Sequence, residues 1–162
     1  MIAVPLVVLA TALWVHHFKR YTPAEVFLDL RAGIAAKDAP KPVERFLELR
    51  YGPLTDPANR RNAFLDFFNV GHIQGLHLLV ERMPESRRAE SIQGMAQWIA
   101  NYRRTMTPAE KHALGSYLRS GEGCMAVRQA TAQYLSHDVR YRDATASVIA
   151  ELMATLAAVQ GS

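Results

Sequence analysis

The feature that most constrains this chain is its uncharged, apolar opening run, Ile2 to Phe18, which reads IAVPLVVLATALWVHHF. As a helix its 17 residues span about 26 Å, just short of the roughly 30 Å hydrocarbon layer of a bilayer. Local thinning of the membrane accommodates a mismatch of that size. Trp14, His16, His17, Lys19, Arg20 and Tyr21 follow at one end, and aromatic and basic residues at a helix end suit the lipid–water interface. The expectation is an anchor helix over residues 1–20, with Trp14, His16, His17, Lys19 and Arg20 as its interfacial residues. Two other readings stay open. Ala10-Thr11-Ala12 fits the small-x-small pattern of a cleaved signal peptide, although a basic n-region is missing. The run also fits a buried core helix.

Basic residues set the expected orientation. Lys19, Arg20 and Arg31 follow the run and none precedes it, so the positive-inside rule places the main domain in the cytoplasm. A periplasmic domain is the alternative.

Residues 21–162 read as one helical domain, because Pro and Gly breaks separate segments of helical period and no segment alternates with a period of two. Thr22-Pro23-Ala24-Glu25 carries the signature of a capping box with proline in the first helical position, and Thr107-Pro108-Ala109-Glu110 repeats it. Helices are expected from about Pro23 to Lys37, after Pro42 with Val43, Phe46 and Leu47 inward, and after the cap Asp56-Pro57. Further helices are expected from His72 to Met83, Pro84 to Arg104, and from Thr107 to a turn at Ser120-Gly121-Glu122-Gly123. The last two run from Cys124 to Leu135, with Arg142 as an alternative end, and through an amphipathic stripe of Val148, Ile149, Leu152, Met153, Leu156 and Val159. The fold class is therefore all-α: an anchor helix followed by a compact bundle of about six to seven short helices.

Composition narrows the function. Lys and Arg number 19 against 15 acidic residues, a formal charge of +4. That surplus suits an anionic lipid surface or an acidic protein partner. Nucleic acid is not expected as a partner, since no zinc-finger spacing, RNP-type motif or dense basic run occurs. The pairs Arg60-Arg61, Arg87-Arg88 and Arg103-Arg104 read as solvated helix faces.

Signs of catalysis are sparse. The single cysteine, Cys124, permits neither an intrachain disulfide nor a thiolate cluster. His72 and His77 are five apart and do not share a helix face. Zinc-protease and di-iron spacings are missing, and Ser116 and Ser120 lie in no nucleophile elbow. The expectation is a non-enzyme without metal or cofactor. One patch invites a binding role: Tyr51, Phe64, Phe67 and Phe68, which form either core or a docking surface for a partner.

The stretch Thr107-Pro108-Ala109-Glu110, followed by Tyr117-Leu118-Arg119-Ser120-Gly121-Glu122-Gly123, resembles a bacterial family of uncharacterised helical envelope proteins. Those proteins share a T-P-x-E … S-P-x-G hairpin and an amphipathic return helix, and the resemblance covers about residues 107–159. Gly121 stands where the family has proline, and Leu118 where it has a second aromatic. The resemblance implies a helical hairpin, often in an exported protein, and supplies no functional residue. Together these readings predict a single-pass protein of a bacterial inner membrane. Its partners would be lipid and the subunits of a membrane protein complex, such as a respiratory or photosynthetic one, in which it serves as an accessory or scaffold. The alternative is an exported envelope protein that binds a ligand or client.

Overall fold

The computed structural model describes residues 41–68 and 85–160, and among these the chain is all-helical with no strand. The elements are α1 (Pro42–Tyr51), α2 (Pro57–Leu65), a 3-10 turn (Asp66–Phe68), α3 (Glu85–Thr105), α4 (Pro108–Arg119), α5 (Gly121–Ser136) and α6 (Val139–Gln160). The anchor over residues 1–20 and the expected helices over 23–37 and 72–83 fall outside the described residues.

Each boundary has a local chemical cause. Proline opens α1, α2 and α4, where its missing N–H costs no helical hydrogen bond. Gly52 ends α1 at φ 91°, a left-handed conformation that a Cβ disfavours. Asp56 caps α2, its carboxylate accepting from the Ala58 N–H at 2.8 Å. Thr107 and Glu110 close the reciprocal capping box of α4.

Two boundaries rest on caps that the sequence expectation did not identify. The turn expected at Ser120–Gly123 is instead the start of α5: Ser120 is its cap, its Oγ accepting from the Gly123 N–H at 3.1 Å. At the other end, α5 stops at Ser136, beside the expected Leu135 and short of the alternative end at Arg142. Asp138 accepts from the Tyr141 N–H at 2.8 Å and so starts a new helix. A side chain that serves as an N-cap competes with helix continuation at that point.

The core lies mainly between α3 and α6, the most extensively packed pair. From α3 come Ile92, Met95, Trp98, Ile99 and Tyr102, and from α6 Tyr141, Val148, Leu152, Leu156 and Val159, all buried. Phe64 and Leu114 seal it from α2 and α4, each 0 % exposed. Complete burial of a side chain like Phe64 contributes roughly 1.5–3 kcal/mol relative to exposure. The buried hydroxyls of Thr145 and Thr155 donate to the carbonyls of Tyr141 and Glu151, each at 2.8 Å, so neither is left unsatisfied. Met153, expected on the buried stripe, is 58 % exposed, because a helix turns about 100° between Leu152 and its neighbour.

Candidate functional site

Trp14, His16, His17, Lys19 and Arg20 lie outside the described residues, and among the described residues no helix is long and apolar enough to cross a membrane. The aromatic patch falls within them, and its phenylalanines are interior. Phe64, Phe67 and Phe68 are 0, 4 and 7 % exposed, so they do not form an exposed docking surface. Phe64 meets Phe68 edge-on and Tyr102 at 5.1 Å, and Phe67 stacks on Trp98 at 6.0 Å. The 3-10 turn is the physical reason: it rotates Phe67 and Phe68 off the axis of α2 and into the space between α3 and α5.

Tyr51 belongs to a polar clasp. Its hydroxyl donates to the Asp66 carboxylate and accepts from Arg50 Nε at 2.7 Å, while Arg50 Nη2 lies 3.1 Å from the same carboxylate oxygen. Burial, reinforced by the Asp66 charge, raises the Tyr51 phenol far above its ordinary value. The phenol stays neutral and ties α1 to the 3-10 turn.

Two openings remain at the surface of this frame. The first is an apolar groove of about 90 Å³ between α5, α6 and the 3-10 turn. Phe67, Phe68, Val127, Ala130, Val148 and Leu152 wall it, with exposed Met153 at its edge. Its hydroxyls are already engaged: Thr131 with the Val127 carbonyl at 2.8 Å, Tyr134 with the Arg142 carbonyl at 3.1 Å, and Thr145 as above. Burial raises the Tyr141 phenol well above its usual range, and Tyr134 adds to the effect. The groove can therefore take up an apolar group.

The second opening is a polar cleft of about 190 Å³ between α1, α2 and α3. Its wall includes Arg60, contrary to the expectation of a solvated basic pair. The Arg60 side chain is 21 % exposed, and its Nη2 donates to Glu110 Oε1 at 2.6 Å. The other Glu110 oxygen accepts from the Thr107 N–H at 2.8 Å and the Thr107 hydroxyl at 2.9 Å. Burial alone would raise the Glu110 carboxyl, but the hydrogen bonds from Thr107 and Arg60 outweigh it and hold the pKa below the ordinary value. Arg103 likewise bonds Glu151 across α3 and α6 at 2.6 Å. Sequence reading found the Thr107–Glu110 box but missed Arg60, which lies 50 residues away; no local pattern signals such a pairing.

The remaining chemistry is dispersed. Cys124 is exposed on the first turn of α5. His112 is exposed, and His137 packs on Tyr141 at 4.4 Å. Among the described residues no three His, Cys, Asp or Glu side chains are grouped to hold a metal ion. Compared with protein-family models, curated proteins and solved structures, the chain finds no match.

Proposed function

We propose that this protein is a non-catalytic accessory subunit of a membrane protein complex. Residues 2–18 hold it at the bilayer, and the helical domain packs against a neighbouring subunit. The observation that carries the reading is the apolar groove between α5 and α6. Exposed Met153 borders it, and Leu135 and Val139, 59 % and 60 % exposed, adjoin its residues Tyr134 and Tyr141 in sequence or lie two positions away. Apolar side chains left open beside a groove are the usual mark of an interaction surface. Purification of the full chain from native membranes in mild detergent should recover stoichiometric partner subunits. Met153→Glu should lower that recovery without lowering the melting temperature, because the replaced side chain is already largely solvated. A monodisperse solitary protein, or full recovery with Met153→Glu, would overturn the proposal.

The α4–α5 hairpin favours a second reading, an exported envelope module, since it spans the residues that resemble the hairpin family. A mature N-terminus at Leu13, read by mass spectrometry, selects this alternative; an N-terminus that retains Ile2 removes the cleaved form.

A further inference from the structure

We draw no further inference here: the strongest candidate, the outward face of α6 on which Val139, Ala146, Ala150, Met153 and Ala157 lie exposed beside the apolar groove, is an unpartnered apolar face, and nothing in the structure shows what covers it.

Discussion

Glu110 joins a helix cap and a long-range ion pair through its two carboxylate oxygens. One oxygen caps α4 by returning to Thr107, and the other holds Arg60 from α2. Glu110→Ala removes a capping partner and leaves a largely buried guanidinium without its counter-charge. A loss of about 2–3 kcal/mol is expected, below the full value for a deeply buried pair because Arg60 keeps some contact with water. Denaturant unfolding of the variant beside its parent measures it. The pH dependence has a definite sign. The folded Glu110 pKa lies below its ordinary 4.5, so its stabilisation is complete above that value and disappears as pH falls through the lower, folded one. The gap in melting temperature between parent and Glu110→Gln should therefore narrow on acidification from neutral pH. Tyr102 presents the opposite case. Burial, with Glu110 adding to it, pushes the phenol up to about 12, and the hydroxyl has no partner within the protein. Tyr102→Phe is expected to be at least as stable as the parent, because it deletes an unsatisfied group and keeps the ring. A large fall in melting temperature would show that the hydroxyl is satisfied after all.

At the level of elements, the hairpin of α4 and α5 depends on one glycine. A Cβ at Gly123 would collide with the carbonyl oxygen of Tyr117, with the Leu118 backbone also in the way. Backbone cannot swing aside as a flexible side chain can, so Gly123→Ala should force the hairpin apart and lower stability more than Ser120→Ala. The latter loses the cap to the Gly123 N–H and the hydroxyl's bond to the Tyr117 carbonyl at 2.6 Å, both near the surface, and should cost about 1 kcal/mol. Comparing the two melting temperatures checks the order. The sequence made the starts of α1, α2 and α4 legible because proline and capping side chains act within a few residues. It also made the buried face of α3 legible through Ile92, Met95, Ile99 and Tyr102. Two capping roles escaped it. Ser120 and Asp138 are ordinary polar residues until their backbone geometry makes them caps. For the phenylalanines at 64, 67 and 68 the sequence left core and docking surface both open, since the direction of Phe67 and Phe68 is set by a 3-10 turn after α2. The polar cleft was not readable at all: Glu48, Arg60 and Tyr102 come from three helices, and only packing brings them together.

For the whole molecule, the decisive quantity is the free energy with which residues 2–18 prefer lipid over the helical domain. The described helices contain a core of α3 against α6, sealed by Phe64 and Leu114. Leu9→Arg distinguishes the possible surroundings. At the centre of a membrane helix an arginine costs about 2.5–3.5 kcal/mol to insert, whereas in water-exposed chain it costs almost nothing. If the run is an anchor, Leu9→Arg should shift the protein from the membrane fraction to the aqueous one, with helicity and melting temperature of the remaining domain unchanged. If the run packs inside the helical body, the same substitution buries an unpaired charge in the core and the melting temperature falls steeply. Fractionation and thermal melting of that one variant separate an anchor from a core helix, and the subunit reading stands only with the first.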